Sequence, residues 1–231
     1  MMEKTLSKRL KAIADQVGQG ERLADIGTDH AYIPIALVEN GTIDYALASD
    51  IGEGPIAIAT ANIEAAGLAD KIVVRQADGL QGIKESDAIS TVIIAGMGGQ
   101  LMIDILEAGM SHLDGTETLI LQPNRDTFEV RQWLNQHEFG IIAEQILEDD
   151  GHVYEMMVAG RTKPEVPYTD ADLHFGPMLR KERSPLFLEQ LERQAEKTEA
   201  VLSGLSEANL VPLTKIREQE ALLALIKEEL Q

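Results

Sequence analysis

The stretch FGIIAEQILEDDGHVYEMMVA, residues 139–159, decides how the chain folds. Two strand-like apolar runs, 139–147 and 152–159, flank Glu148-Asp149-Asp150-Gly151, and the Asp-Gly step is a hairpin turn signal. An antiparallel pair is therefore expected here. Working back towards the amino terminus, the pattern is different. Short apolar runs at 22–26, 45–50, 72–77, 91–95 and 118–122 alternate with helical patterns at 33–39, 55–66, 100–108 and 128–137. Pro55 is expected to open its helix and Gly67 to stop it. Leu6, Leu10, Ile13 and Val17 recur at three- and four-residue steps, so residues 4–17 read as an amphipathic helix ahead of the first strand. Repeated strand–helix alternation calls for right-handed crossovers and a parallel, doubly wound sheet. The hairpin then closes that sheet with two antiparallel strands, seven in all.

Composition narrows the class. The chain has 231 residues, 44% hydrophobic and 26% charged, which is ordinary for a globular protein. Four Phe, four Tyr and one Trp are too few for a single-strand binder built from stacking platforms. The absence of cysteine excludes disulfides, thiolate metal sites and cysteine nucleophiles. No signal-peptide core and no long apolar run is present, so a soluble cytoplasmic protein with no membrane partner is expected. The formal charge of −19 argues against nucleic acid, but unevenly. Residues 1–160 hold 26 acids and 10 bases, whereas residues 161–231 hold 13 and 10. Lys4, Lys8, Arg9 and Lys11 cluster at the start, and Arg180, Lys181 and Arg183 cluster later. Screening over about 8 Å lets such patches act despite a distant acidic surface.

Residues 161–167, with Pro164 and Pro167 among charges, read as a linker. Beyond it the pattern is helical. Leu188, Leu191, Ala195, Leu202 and Leu205 form a heptad-like stripe, residues 204–209 break it, and Ile216, Leu223, Ile226 and Leu230 begin another. This predicts a coiled-coil-like antiparallel helical hairpin, with one shorter helix over 172–183. The expected domains are residues 1–163 and 164–231.

Chemistry concentrates where strands end. After the first strand comes Asp25-Ile-Gly27-Thr28-Asp29-His30-Ala31. Gly27 lets the backbone bend and a ligand approach. A dinucleotide site would place a second glycine where Asp29 stands, and a carboxylate there repels pyrophosphate. S-adenosyl-L-methionine has no phosphate and carries an ammonium and a sulfonium, so Asp25 and Asp29 suit it better than NAD. A plain strand-to-helix turn with Thr28 or Asp29 as N-cap is the alternative. The second strand ends in Asp50-Ile51, where an acid can accept from ribose hydroxyls. The third ends in Asp78-Gly79-Leu80, where an acid can accept from an adenine amino group and a backbone amide can donate to the ring. Three acids at consecutive strand tips are expected to converge on one edge of the sheet. The fourth strand ends in Gly96-Met97-Gly98-Gly99 and the fifth in Gln122-Pro123-Asn124-Arg125. Met97 is either core filler or a contact to a base. The final antiparallel hairpin is unusual for a nicotinamide-binding domain but is what the class I (Rossmann-like) S-adenosylmethionine methyltransferase fold has.

Ser7-Lys8-Arg9-Leu10, Ala24-Asp25-Ile26-Gly27-Thr28-Asp29-His30-Ala31-Tyr32, Ala95-Gly96-Met97-Gly98-Gly99 and Leu121-Gln122-Pro123-Asn124 together resemble the bacterial tRNA (adenine-N1)-methyltransferase family that modifies adenine 22 in the D-arm. The helical tail matches too, so the resemblance spans essentially the whole chain. It implies methyl transfer from S-adenosyl-L-methionine to adenine N1 of tRNA. On that reading Asp29, Tyr32 and Met97 position the base, with no general base required. Asp25, Gly27, Thr28, His30, Asp50, Ile51, Asp78, Gly79, Leu80, Gly96 and Gly98 hold the cofactor. Asn124, Arg180, Lys181 and Arg183 meet the tRNA, and Arg9 meets either an RNA phosphate or the cofactor carboxylate. The five histidines lack ligand spacing, so no metal is expected. A monomer or weak dimer is anticipated. A small-molecule methyltransferase, favoured by the charge, and a non-catalytic scaffold with a partner-binding tail are the rivals.

Overall fold

The computed structural model describes residues 6–164, 166–207 and 213–231. The chain divides into two compact units, Met1–Pro167 and Tyr168–Gln231.

In the first unit, β1 (Arg22–Ile26), β2 (Tyr45–Asp50), β3 (Ile72–Gln76), β4 (Thr91–Met97), β5 (Thr118–Pro123), β6 (Gly140–Asp149) and β7 (His152–Gly160) form one sheet in the order β3-β2-β1-β4-β5-β7-β6. The first five strands pair in parallel, and β7 runs antiparallel to both β5 and β6. Strand order reverses on leaving β1 for β4, which opens a crevice at their carboxyl ends. The central strands are apolar on both faces because helices cover both. Leu23, Leu47, Ile93, Ile94 and Ile120 are fully buried, each contributing about 1.5–3 kcal/mol.

Helices α1 (Lys8–Ala14), α2 (Tyr32–Glu39) and α3 (Glu53–Ala66) feed one shared cluster through Ile13, Ile33, Leu37, Ala59 and Ile63. α1 is shorter than the periodicity predicts; Ser7 caps it by accepting from the Leu10 amide, and Lys4 and Thr5 lie outside the described residues. Pro55 sits in the first turn of α3 rather than opening it, where its missing amide costs no helical hydrogen bond. α4 (Gly99–Gly109) and α5 (Thr127–Gln136) pack against each other. α5 is tied to the closing hairpin by Arg131, which is fully buried and donates to Glu144 on β6 (2.7 Å) and Glu155 on β7 (2.5 Å).

The second unit contains α6 (Asp170–Phe175), α7 (Pro177–Glu182), α8 (Pro185–Glu207) and α9 (Leu213–Glu229). Residues 172–183 are two helices, not one. Gly176 adopts φ +87° and Pro177 starts the next helix, so the helical ladder cannot continue. α8 continues through Gly204 to Glu207 instead of breaking there; an exposed mid-helix glycine costs only about 1 kcal/mol. Residues 208 and 209 of the expected break lie outside the described residues. α8 packs against α9, with Lys227 pairing with Glu199 at 2.7 Å. Among the described residues of α8, Phe187, Leu191 and Thr198 are buried, and Leu188, Ala195, Leu202 and Leu205 of the predicted stripe are half-buried along the same three- and four-residue steps.

Candidate active site

A cavity of about 530 Å³ opens at the carboxyl ends of β1, β2 and β4, within the size range of small-molecule sites. Its wall begins with the turn after β1. Gly27 takes φ +74°, and its amide and that of Thr28 donate to the Ser49 carbonyl at 2.8 and 3.0 Å. A Cβ at Gly27 would lie 2.8 Å from the Met97 methyl, the movable end of a flexible side chain, so the positive φ is the stronger reason for glycine here. Asp29 and Ala31 also adopt left-handed conformations, at φ 52° and 56°. Ala31, rather than Thr28 or Asp29, is the N-cap of α2, and no side chain caps that helix.

Thr28 is instead engaged with the neighbouring acid: its hydroxyl donates to Asp25 at 2.6 Å. Asp25 is buried in the cavity wall. Burial pushes its carboxyl up to about 6; the Thr28 hydroxyl opposes that shift and nearby Asp50 adds to it. Asp50, at the tip of β2, accepts from the Gly52 amide at 2.8 Å and also lines the cavity. His30 stacks on Tyr32 with ring centroids 5.0 Å apart and 15° between planes. Its Nε2 lies 3.3 Å from the Asp29 carboxylate, its carbonyl accepts from Asn62 of α3 at 3.0 Å, and its buried Nδ1 has no hydrogen-bond partner among the described residues. At the tip of β4 a register shift between Ala95 and Met97 leaves Gly96 at φ +77°.

The cavity thus gathers Arg9, Asp25, Gly27, Thr28, Asp29, His30, Tyr32, Asp50, Gly96 and Met97 from the sequence expectations, together with Leu10, Ile33 and Ala95, which those expectations missed. The others lie outside its wall. Ile51 is 65% exposed, and Asp78 is exposed at the tip of β3. Gly79 follows at φ +54°, close against Ile105, and Leu80 is fully buried against Gly109, a core position. Asp25 and Asp50 line the cavity, and Asp78, at the next strand tip, lies beyond that wall as the N-cap of a short 3-10 segment, Gly79–Gly82. Gly98 caps α4 beside Arg125. Asn124 is exposed and donates to the Gly96 carbonyl at 2.7 Å, bracing β4 from outside. In the second unit, Arg180 donates to Asp172 (2.6 Å) and Glu229 (2.7 Å), and Arg183 donates to the Glu229 carbonyl (2.9 Å). Two of the three cations expected to meet phosphate are therefore held by acidic and carbonyl oxygens within their own unit; Lys181 is exposed.

The donor set asks for a cation. A buried carboxyl raised to about 6 and two further carboxylates outweigh the Arg9 guanidinium in this wall, so its net charge is acidic. These residues fit the ammonium and sulfonium of S-adenosyl-L-methionine. Among the described residues no cluster of His, Asp and Glu could hold a metal ion.

Comparison with known proteins gives the same direction. The family model for TrmK, tRNA (adenine(22)-N(1))-methyltransferase, matches residues 23–228. The chain belongs to the TrmK family. The tRNA (adenine(22)-N(1))-methyltransferase of Bacillus subtilis is 41% identical over 212 residues, covering 90% of this chain and 89% of that protein. The crystal structure of the B. subtilis m1A22 tRNA methyltransferase TrmK superposes with a TM-score of 0.93 at 37% identity, covering 99% of this chain and all of the other. A Streptococcus pneumoniae protein crystallised in complex with S-adenosyl-L-methionine superposes at 0.89 with 42% identity, covering 98% and 100%. The fold is that of the class I methyltransferases, as the hairpin predicts.

Proposed function

We propose that this TrmK-family chain methylates N1 of adenine 22 in tRNA, using S-adenosyl-L-methionine and giving 1-methyladenosine. The observation that carries this reading is the acidic cavity at the switch between β1 and β4, in a chain that matches the family model over residues 23–228. When bound, the cofactor supplies an electrophilic methyl group on sulfur. The S–CH3 bond breaks, the N1–CH3 bond forms, and the positive charge passes from sulfur to the adenine ring, leaving neutral S-adenosylhomocysteine.

Adenine N1 is unprotonated at neutral pH, so the chain's task is orientation, which can supply several kcal/mol. Asp25 faces the ammonium, Asp50 accepts from the ribose, and Asp78 at the next strand tip takes the adenine amino group. The Tyr32–His30 stack offers a π-face to an extruded target base, whose unstacking costs a few kcal/mol. Met97 and the glycines beside it bring the backbone close to the reacting atoms. Asp29, near this stack, faces the charge that develops on the methylated ring. Residues 164–231 serve tRNA binding in the cytoplasm, with Lys181 their candidate phosphate contact. No described helix is long and apolar enough to cross a membrane.

The test is tritiated methyl transfer to an unmodified tRNA transcript, followed by nucleoside analysis and primer extension. Methylation at N1 blocks the Watson–Crick edge and arrests reverse transcriptase at adenine 22, whereas N6 methylation leaves pairing possible. A transcript with guanine at position 22 that is methylated equally well would overturn the site assignment.

A further inference from the structure

The first unit carries an excess of acids, and most of its cations are matched to them. Lys11 pairs with Asp15, Lys71 with Asp44, Arg75 with Asp87 and Lys163 with Glu138. Arg9, half-buried in the cavity wall, donates to Gln122 at 2.6 Å, and its amide is held by Asp149 of β6 at 3.0 Å. Arg125 is placed differently. It stands outside that wall, at the rim.

Arg125 belongs to the loop between β5 and α5, which is fastened to the turn between β4 and α4. The Asn124 amide donates to the Met97 carbonyl at 2.8 Å, and the Gly99 amide donates to the Arg125 carbonyl at 3.1 Å. The Asn124 side chain adds its bond to the Gly96 carbonyl. A Cβ at Gly99 would lie 2.7 Å from the Asp126 carbonyl oxygen and 2.9 Å from that of Arg125. Both are backbone atoms, so this close approach requires glycine. Asp126 then leads into α5 in a left-handed conformation, at φ 62°. The main chain of Arg125 is fixed, but its side chain is not spent. It is 78% exposed, and its partner among the described residues is the adjacent Asp126, whose carboxylate lies 3.5 Å from Nε. An exposed pair of this kind is worth no more than about 1 kcal/mol. Both terminal nitrogens of the guanidinium lack a partner among the described residues. Nε lies 3.1 Å from where a Cβ of Gly98 would stand, one residue beyond Met97 of the cavity wall.

Resting on the proposed methylation of tRNA, we infer that Arg125 grips a phosphate flanking the target adenine and so positions that nucleotide at the cavity mouth. A base drawn into the cavity takes its N1 edge inside and leaves its sugar and phosphates at the rim. Asp25, Asp29 and Asp50 in the wall repel a phosphate, which holds the polyanionic strand outside while the neutral base enters. A guanidinium on a rigid loop just beyond that wall receives what the wall rejects. Its planar fork matches two phosphate oxygens at once, which fixes orientation as well as supplying charge.

The test uses a ligated tRNA with a neutral methylphosphonate in place of the phosphate on the 5′ or the 3′ side of adenine 22. With the wild-type protein, one of the two substitutions should lower affinity and kcat/KM by about tenfold. Arg125→Gln should lose about as much with the native backbone, show a salt slope shallower by about 1, and lose nothing further with that neutral linkage. Arg125→Lys should recover part of the loss. Calorimetric binding of S-adenosylhomocysteine should be the same in all three proteins. A wild type indifferent to both neutral linkages overturns the inference whether or not the variants fold. A linkage that costs Arg125→Gln as much as it costs the wild type overturns it too. S-adenosylhomocysteine affinity lost in parallel with tRNA affinity would make the role structural and overturn it. A wild type that methylates no transcript at adenine 22 would instead remove the tRNA reading itself, and this inference with it.

Discussion

Arg131 and Asp25 are both buried in the first unit, and only Arg131 has its charge answered. Arg131 is flanked by Glu144 and Glu155, which neutralise it and fix α5 on the closing hairpin. Among the described residues Asp25 has one hydroxyl donor, a neighbouring acid and no ion pair, and burial raises its carboxyl to about 6. The contrast separates scaffold from site. The charge of Arg131 is satisfied within the fold, whereas the carboxyl of Asp25 faces the cavity with a hydroxyl donor alone.

The comparison breaks first at Arg131. Arg131→Met should remove the cation between buried Glu144 and half-buried Glu155 and destabilise the protein by about 3–5 kcal/mol in chemical denaturation. A loss under 1 kcal/mol would show that the cluster is not a structural tie. Next, Asp50→Ala should leave stability nearly unchanged and weaken cofactor binding by about 1–3 kcal/mol, read by calorimetry. Unaltered affinity in a folded variant would remove Asp50 from the site.

Asp25 sharpens the comparison through pH. Its folded pKa is raised, so the stability it lends is present in acid and is lost as pH rises from its unfolded value of 3.8 through about 6. A bound ammonium reverses that preference by favouring the carboxylate. Cofactor affinity should therefore climb about tenfold, or about 1.4 kcal/mol, between pH 5 and 7 and then level off. Asp25→Asn should bind more weakly and show no such rise, and a rise that persists in the variant would point to another group. The smallest effect belongs to Lys11, whose pair with Asp15 at 2.8 Å lies on the exposed face of α1. Lys11→Ala should change the denaturation midpoint by no more than about 0.5 kcal/mol in free energy.

Much of the fold is legible because its signals are local. Apolar runs at 45–50 and 91–95 and the Asp-Gly step at 150–151 fall where the strands and hairpin are found. The turn holding Asp25, Gly27 and Asp29 is legible for the same reason. Gly176-Pro177 is a helix-breaking pair that the expectation of one helix over 172–183 leaves out of account. Residues joined across the chain left no local trace. Gln122 meets Arg9 over 113 positions, and Arg131 finds Glu155 24 residues later. Asp78 was legible as a strand-tip acid, but its exposure ahead of the 3-10 segment Gly79–Gly82 left no local signal.

The docking of α1 bears on the order in which this protein comes into being. Arg9 is synthesised 140 residues ahead of Asp149, which holds its amide, and 113 ahead of Gln122, which holds its guanidinium. At about 5–20 residues per second, on the order of ten seconds pass between the appearance of α1 and that of the strand which receives it. Such distant pairings close late and slowly. The nascent chain therefore carries the parallel strands for some time before it owns a finished cavity. A reporter of cofactor binding on stalled ribosomes should stay silent until the hairpin has cleared the exit tunnel.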